Sequence, residues 1–400
     1  MLATRLRFGI RFNSAAGPIR DVVRWAQLAE SLGFDDLWYC QDLLQRDAWV
    51  ALTAVASATK RIRVGTCIAN PFSSSPAELA MRAASLQEFS DGRFVLGIGP
   101  GDPPVLDWVG LRQGRPLAGL REAVRLLRAL LRGEAAASGA AVFGTWTDDA
   151  RLRFPIPAVP VPIYVGGQGP KVLEFMGEAG DGGLPIVFPP ETIDEVTTRV
   201  RAGAARTGRS LEAFDLAACV WWSIGETPVQ AQEALRPLIA YYGPSLRAET
   251  LAPIGLAPAD FESIRAALGS GDPRKAEALV TPPMFRLAIS GEPDQVVERV
   301  KWLQARGATQ INIGPPLGLD KERALRLTAE RVLARVLQRS RERGSRAARS
   351  PSPTRLIPTT AEKIAKPGNV EIHHADARYE RPSAVIDPHS GVGGWAPMPR

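Results

Sequence analysis

Short apolar runs alternate with longer amphipathic segments along the first 340 residues of the chain. Near-continuous apolar runs are typical of strands buried on both faces of a parallel sheet, and apolar residues every three or four positions predict helices. The pattern predicts eight strands, at Leu6–Phe12, Asp35–Gln41, Ile62–Ala69, Phe94–Pro100, Ile163–Gly167, Gly182–Phe188, Phe214–Ile224 and Thr309–Gly314. The helices predicted between and after them include Ile19–Leu32, Ala48–Thr59, Pro76–Phe89, Leu117–Leu131, Lys171–Gly180, Thr192–Ala205, Asp294–Arg306 and Lys321–Leu337.

Eight strand–helix units in about 340 residues predict an α/β fold, a (β/α)₈ TIM barrel with insertions. An open, doubly wound sheet is the alternative. Two segments exceed the simple alternation. In residues 133–162, the stretch FGTWTDDARLRF predicts a small hairpin, and residues 228–290 predict extra helices, such as Pro258–Leu268, beside the mouth of the barrel. Insertions at the carboxyl ends of barrel strands commonly carry specificity.

The composition changes after Leu337, where SRERGSRAARSPSPTR is rich in Arg, Ser, Pro and Gly and offers little to build a core. This predicts a barrel domain at residues 1–340 and a mostly disordered extension at residues 341–400. A tail that docks onto a partner is the alternative interpretation, although the segment carries no specific motif.

Charge and hydropathy narrow the class of protein. The net charge is +7, but residues 339–400 carry eleven basic and six acidic side chains, so the body is close to neutral. A nearly neutral body argues against nucleic-acid binding. No apolar stretch approaches the roughly 20 residues of a membrane span. The N-terminal MLATRLRFGIRF lacks the pattern of a signal peptide, so a cytoplasmic location without membrane association is the expectation.

Cysteines and histidines limit the chemistry. Cys40, Cys67 and Cys219 lie in apolar runs and are expected to be buried free thiols. All three histidines fall after residue 340, which excludes a histidine-based triad in the body and argues against a zinc site there. Carboxylates, hydroxyls, backbone amides or a bound cofactor must therefore supply the chemistry, and no metal is expected.

Two strand ends are rich in glycine. The fourth strand ends in LGIGPGD, where Gly97, Gly99 and Gly101 let backbone approach a ligand and Asp102 caps or hydrogen-bonds; a turn made only for tight packing is equally compatible. The fifth strand ends in GGQGPK, which leads into a helix beginning at Pro170. Free amides at a helix start and a lysine favour anion binding over an ordinary turn. The residues concerned are Gly166, Gly167, Gln168, Gly169 and Lys171.

Two further strand ends carry weaker signals. Asn70 and Pro71 end the third strand, in GTCIANP, and by themselves indicate only a strand terminator. Asp42 follows the second strand, in WYCQD. A carboxylate at that end of a barrel strand is a candidate site residue, or else the N-cap of the next helix.

Together, these four places resemble the luciferase-like superfamily, and within it most closely the coenzyme F420-dependent methylenetetrahydromethanopterin reductases. The resemblance runs over roughly residues 6–338. The motifs that carry it are LGIGPGD at 96–102, ANP at 69–71, VGGQGPKVLEFMGEAGDG at 165–182 and GPPLGLDKERALRL at 314–327.

The resemblance implies a barrel that binds a deazaflavin at its carboxyl-terminal mouth. A non-proline cis peptide in the third strand would then lie at Cys67–Ile68 and support the central ring, with Ala69 and Asn70 beside it. Asp42 matches a carboxylate near the deazaflavin. The segment from Gly166 to Lys171 falls where the phosphate-bearing tail of the coenzyme is expected.

Two positions depart from the family. Leu43 stands where the family usually has histidine, and Arg11, in GIRF, stands where members specialised for pterins carry glutamate. A guanidinium in place of a carboxylate reverses the local charge and favours an anionic substrate over an iminium-like one. Arg11 pointing outward, or contacting the acidic tail of the coenzyme, is the alternative.

The resemblance implies hydride transfer between coenzyme F420 and a small organic substrate, a methylene-tetrahydropterin among the candidates, with Asp42 and Arg11 as candidate catalytic residues. Either Trp221 or Trp222 is expected to wall the substrate, with the other in the core. Three alternatives stay open: an FMN-dependent monooxygenase, an NADH-dependent methylenetetrahydrofolate reductase, and a barrel that only binds a ligand. A homo-oligomer, dimer or tetramer, is also implied by the resemblance.

Overall fold

A computed structural model describes residues 5–136 and 142–337 of the chain. Within these residues an all-parallel sheet closes on itself in the order β1 to β6, then β7, then β9, which pairs again with β1. The predicted TIM barrel is thus confirmed and the open sheet is wrong. The strands are β1 Arg7–Phe12, β2 Asp36–Tyr39, β3 Arg63–Thr66, β4 Phe94–Ile98, β5 Ile163–Gly167, β6 Gly182–Pro185, β7 Asp215–Ile224, β8 Ile289–Gly291 and β9 Gln310–Leu317.

All eight predicted strands are present, and four of them, β2, β3, β4 and β6, end earlier than the apolar runs suggested. There the chain leaves the sheet, partly buried, to form loops of the barrel mouth. The short strand β8, which pairs with the end of β7, was not predicted, since three residues give no periodic signal.

Helices surround the barrel, and most of those outside the second insertion pack an apolar face on the strands. They are α1 Ile19–Ser31, α2 Ala48–Ala58, α3 Pro76–Phe89, α4 Pro103–Trp108, α5 Pro116–Leu131, α6 Pro170–Ala179, α7 Ile193–Arg206, α8 Pro228–Tyr242, α9 Ala248–Leu251, α10 Glu262–Gly269, α11 Pro273–Ala278, α12 Pro293–Ala305 and α13 Lys321–Leu327. The short α4 was not predicted. In the part of the chain that is described, no helix is long and apolar enough to cross a bilayer.

Both insertions were singled out correctly, but only one has the predicted form. Residues 228–290 form helices α8 to α11 with their own apolar cluster around Leu235, Ile239 and Phe261. The hairpin expected in residues 133–162 is wrong for the described residues 142–162, which contain no strand. There Arg151 and Arg153 donate to the carbonyls of Asp148 and Asp149, and these local bonds replace a strand ladder.

The interior of the barrel begins with an ionic layer at the amino ends of the strands, which we call the closed-end network. It consists of Arg7, Asp36, Arg63 and Asp215, with Tyr164, Thr309 and Gln310 hydrogen-bonded to the two carboxylates. Above it lies an apolar layer that includes Trp38, Val95 and Leu184. Since side chains of a strand alternate, position 11 follows positions 7 and 9 toward the interior at the opposite, open end.

The predicted boundary at residue 340 and the extension 341–400 lie outside the described residues. The described barrel is complete by Leu337, with Val332, Leu333 and Val336 buried in its core.

Candidate active site

The open end of the barrel, where the carboxyl ends of the strands meet, collects most of the candidate residues. Arg11 forms part of its floor: the residue is 8% exposed, and its Nη2 lies 3.4 Å from the carbonyl oxygen of Val220 on β7. Its guanidinium passes directly over Gly314, where a Cβ atom would collide with it. Arg11 thus points into the barrel, and the outward-pointing alternative is wrong.

Three thiols share this floor with Arg11, and we call Cys40, Cys67 and Cys219 the thiol layer. The Sγ atoms of Cys67 and Cys219 are 4.0 Å apart, and Asn312 Nδ2 lies 3.3 Å from Cys219 Sγ. All three cysteines are free, as predicted, although only Cys219 is fully buried and the other two are half-buried.

Arg11 and the thiol layer act on each other electrostatically. Burial lowers the pKa of Arg11, the thiols raise it, and the net direction is upward, so the guanidinium stays charged. Burial raises the pKa of Cys219, but the hydrogen bond with Cys67 and the charge of Arg11 lower it to about 7. The pKa of Cys67 is raised by its hydrogen bond with Cys219 and by burial. Arg11 therefore stabilises negative charge at this floor.

The chain forms a bulge directly after β3. The peptide bond between Cys67 and Ile68 is cis, as the resemblance implied. Beyond it, the Ala69 amide donates to the Gly97 carbonyl at 2.8 Å, and the Gly99 amide donates to the Ala69 carbonyl at 3.0 Å. Asn70 is buried and fixes the loop, donating to the Pro100 carbonyl at 3.1 Å and accepting from the Phe72 amide at 2.7 Å. The bulge and the loop after β4 are thus one hydrogen-bonded unit.

Four glycines keep side chains out of this unit, and we call Gly97, Gly99, Gly101 and Gly166 the glycine cradle. A Cβ atom at position 99 would lie 2.7 Å from the Gly166 carbonyl oxygen and 3.1 Å from Ile68 Cγ1. A Cβ atom at position 97 would collide with the Thr66 carbonyl. Gly101 has φ of +77°, which favours glycine. Gly97, Gly99 and Gly166 are buried and a Cβ atom would collide with protein atoms at each, so the tight-packing role is observed, whereas backbone contact with a ligand stays a prediction.

Asp102 and the loop after β5 border the cradle. Asp102 occupies the N-cap position of α4, but its side chain makes no capping hydrogen bond, so the capping role predicted for it is not observed. Gly167 has φ of +148°, Gly169 precedes the helix, and Pro170 is its first residue, as predicted. Gln168 and Lys171 are exposed at this helix start, where the first amides have no partner within the helix.

Asp42 stands at the rim of the same mouth. It does not cap the next helix: Asp47 does, accepting from the Val50 amide at 2.9 Å, so the alternative reading of Asp42 as an N-cap is wrong. Burial raises the pKa of the Asp42 carboxyl, Arg11 lowers it, Asp102 raises it, and the net direction is upward. The three charged residues named from the sequence therefore lie within electrostatic range of one another.

Three aromatic rings lie together after β6, on β7 and at the end of α8, and we call Phe188, Trp221 and Tyr242 the aromatic wall. The Phe188 and Trp221 rings stack with centroids 4.3 Å apart, and Tyr242 lies 5.9 Å from Trp221. Burial raises the pKa of Tyr242, as do Tyr241, Asp42 and Cys40, which places Tyr242 above the floor. Both tryptophans are buried, Trp222 in the main core and Trp221, 4% exposed, in the apolar cluster of helices α8 to α11, so a tryptophan that walls the substrate stays a prediction.

Sequence reasoning missed three parts of this site. The thiol layer and Tyr242 gave no local signal, because only the closure of the barrel brings them to Arg11. A cavity of about 430 Å³ also adjoins the bulge, lined by Pro71, Phe72, Ser73, Ser75, Arg112, Gly114, Arg115, Val142 and Phe143. The two exposed arginines in RQGR, soon after the glycine-rich loop, were a usable signal for it.

Comparison with known proteins places this arrangement in a family. The sequence model of the luciferase-like monooxygenases matches residues 4–310. The chain belongs to this family. Among luciferase-like relatives, the 5,10-methylenetetrahydromethanopterin reductase of Methanolobus tindarius is 33% identical over 82% of this chain and 100% of its own length. The reductase of the same name from Archaeoglobus fulgidus is 32% identical over 83% of this chain and 100% of its own length.

A solved structure agrees with the sequence comparison. The coenzyme F420-dependent tetrahydromethanopterin reductase of Methanopyrus kandleri superposes with a TM-score of 0.78 and 28% sequence identity, over 83% of this chain and 99% of that chain. The luciferase-like barrel of that enzyme thus extends over the whole body of this chain, and the predicted family is confirmed.

Proposed function

We propose that this luciferase-like protein is a coenzyme F420-dependent oxidoreductase that transfers a hydride to or from a small organic substrate. The observation that carries the proposal is the glycine cradle, which joins the bulge at Cys67–Ile68 to the loops after β4 and β5 at the open end. The F420-dependent and methanopterin-reducing relatives support the same conclusion. They also suggest a methylene-tetrahydropterin as one candidate substrate.

The cradle fits a flat ring. A planar tricyclic ring needs a surface of backbone without projecting side chains, and the glycines at positions 97, 99 and 166 place no side chain beside the bulge. Ile68 packs against this surface, and Ala69 and Asn70 hold its edge through the hydrogen bonds of the bulge. We assign these residues to the ring.

The remaining candidates fit the charged tail. At the helix start the amides of Gly169 and Lys171 have no partner within the helix, and the Lys171 side chain adds a positive charge. We assign Gly166, Gly167, Gln168, Gly169 and Lys171 to phosphate. Arg112 and Arg115 in the adjoining cavity supply further positive charge for the acidic part of the tail.

When bound, F420 supplies a two-electron hydride carrier. The chain supplies the surroundings. The aromatic wall excludes water from one side of the mouth, and the floor with Arg11 closes the bottom. The Asp42 carboxyl, whose pKa is raised, holds or releases a proton at its Oδ atoms beside the reacting region. A cytoplasmic location and a homo-oligomer, dimer or tetramer, complete the proposal and rest on the sequence and the family resemblance.

The test is a titration of the purified full-length protein with F420 and with FMN, each followed by its own fluorescence. We expect F420 to bind with a Kd well below about 100 μM, which is roughly −5.5 kcal/mol, and FMN to bind at least about tenfold more weakly. Tighter binding of FMN, or no binding of either coenzyme, would contradict the proposal.

A further inference from the structure

We propose that Arg11 is the docking point for an anionic group of the substrate, so that the enzyme acts on a small molecule bearing a carboxylate or phosphate. Calling the bound anion a substrate rests on the proposed function, whereas the anion site itself is argued from the structure alone. It narrows the class of substrate, which the methanopterin-reducing relatives leave open for this chain.

The position of Arg11 makes it accessible from the mouth only. Gly9, two residues before it on β1, faces Trp38 and Gln310 in the interior, so Arg11 belongs to the next interior layer. Its guanidinium crosses over Gly314 to reach β7, and 8% of the residue remains exposed. A ligand that enters beside a bound ring therefore meets Arg11 at the bottom.

The charge of Arg11 is not balanced by a carboxylate. Among the described residues it forms no ion pair within 4 Å, and Asp42 acts on it from a greater distance. A buried guanidinium without a carboxylate partner is costly, and the cost is offset when an anion arrives. The hydrogen bond with Cys67 and this same charge of Arg11 lower the pKa of the Cys219 thiol.

Hydrogen-bond donors are also available. A guanidinium has five N–H donors in a planar fork that matches the two oxygens of a carboxylate or phosphate. The Arg11 contact with the Val220 carbonyl is 3.4 Å long, at the weak end of the range, and its other neighbour is the Cys219 thiol. The fork therefore keeps donors for a stronger acceptor.

The rival interpretation is that Arg11 only holds the thiol layer and the end of β7 in place. The two interpretations predict different ligand affinities. A structural Arg11 gives no preference between a carboxylate and its neutral amide of the same shape, whereas a docking Arg11 gives a large one.

The experiment measures binding of 4-fluorobenzoate, 4-fluorobenzamide and 4-fluorophenyl phosphate to the full-length protein by ¹⁹F NMR, with and without F420. We expect one of the anions to bind at least about tenfold more tightly than the amide, the effect of a charge-assisted hydrogen bond. Which anion binds more tightly tells a carboxylate site from a phosphate site. Because the probes report without the coenzyme, failure of F420 binding and failure of the anion site are separate results.

Three variants assign the preference to the residue. Arg11→Gln is expected to remove it, Arg11→Lys to keep part of it, and Arg274→Gln, at an exposed arginine of α11, to keep all of it. Circular dichroism checks that each variant is folded, and Arg11→Lys carries the test if Arg11→Gln does not fold. Equal binding of anions and amide by the native protein, or a preference that survives in Arg11→Gln, would overturn the inference.

Discussion

The two ends of the barrel interior surround their arginines with different partners. At the closed end, Arg7 lies 2.9 Å from Asp215, and Arg63 lies 2.6 Å from Asp36, which is 1% exposed. At the open end, Arg11 has a backbone carbonyl and thiols around it, and no carboxylate within 4 Å among the described residues. The glycine cradle also places bare backbone at the open end, whereas side chains such as Trp38, Val95 and Leu184 fill the layer above the closed end.

We interpret the paired charges of the closed end as stabilising the fold and the unpaired charge of the open end as binding a ligand. Charges that are paired and hydrogen-bonded on all sides fix one arrangement of the strands and have nothing left to offer a ligand. A charge left without a counterion, beside backbone kept bare by glycine, is stabilised only when something binds. This agrees with the general placement of barrel active sites at the carboxyl-terminal face and of stability at the other.

The largest effect is expected from breaking the closed-end network. Asp36→Ala leaves Arg7 and Arg63 with Asp215 alone, and we expect a loss of about 3–5 kcal/mol in the free energy of unfolding, measured in urea. The matched control, Asp148→Ala, removes an exposed carboxylate and is expected to stay within about 0.5 kcal/mol of the native protein. A similar, small change in both variants would show that the network does not stabilise the barrel.

The second-largest effect is expected from a methyl group added to the glycine cradle. Gly99→Ala places a methyl group against the Gly166 carbonyl and Ile68, and we expect it to weaken F420 binding by about 1–3 kcal/mol, read from a fluorescence titration. In Gly269→Ala the new methyl group has no neighbour within 4 Å, and affinity is expected to be unchanged. Unaltered binding in Gly99→Ala would exclude the glycine cradle as the site of the ring.

A pH titration of anion binding tests the unbalanced charge of Arg11. As pH rises through about 7, Cys219 ionises and neutralises Arg11, so affinity for 4-fluorobenzoate should fall, by up to about tenfold per unit above pH 7. Cys40, Cys67, Asp42 and Tyr242 also face this floor with raised pKa values, and Asp102 lies near Asp42.

Two variants assign this titration. Cys219→Ser is expected to give an affinity independent of pH between 7 and 8.5, while Asp42→Asn is expected to keep the decrease. A decrease that persists in Cys219→Ser would point to a different group.

The smallest effect is expected from removing the unbalanced charge. Arg11→Met loses one long hydrogen bond and relieves the desolvation of a buried cation, so the free energy of unfolding should change by less than about 1 kcal/mol, or rise. Measured in urea beside Asp36→Ala, a loss as large as in that variant would mean that Arg11 is a structural residue like Arg7.

Sequence alone predicted the eight barrel strands, because their apolar runs are long and bounded by glycine and proline. It also found the glycine cradle, since LGIGPGD and GGQGPK are unusual at strand ends. It did not reveal the floor: strands buried on both faces do not show which face is interior, and Arg11 meets Cys219 only when the first and seventh strands enclose one space. The hairpin prediction was wrong for the described residues, where the Arg151 and Arg153 side chains donate to the backbone carbonyls of Asp148 and Asp149.

A crystal structure of the protein with F420 would show directly where the deazaflavin ring lies. We predict the ring against the Cys67–Ile68 peptide and the backbone of Gly99, the phosphate within hydrogen-bond distance of the amides of Gly169 and Lys171, and Arg11 open on the free side of the ring. A ring bound elsewhere, or Arg11 buried under the phosphate-bearing tail, would contradict it.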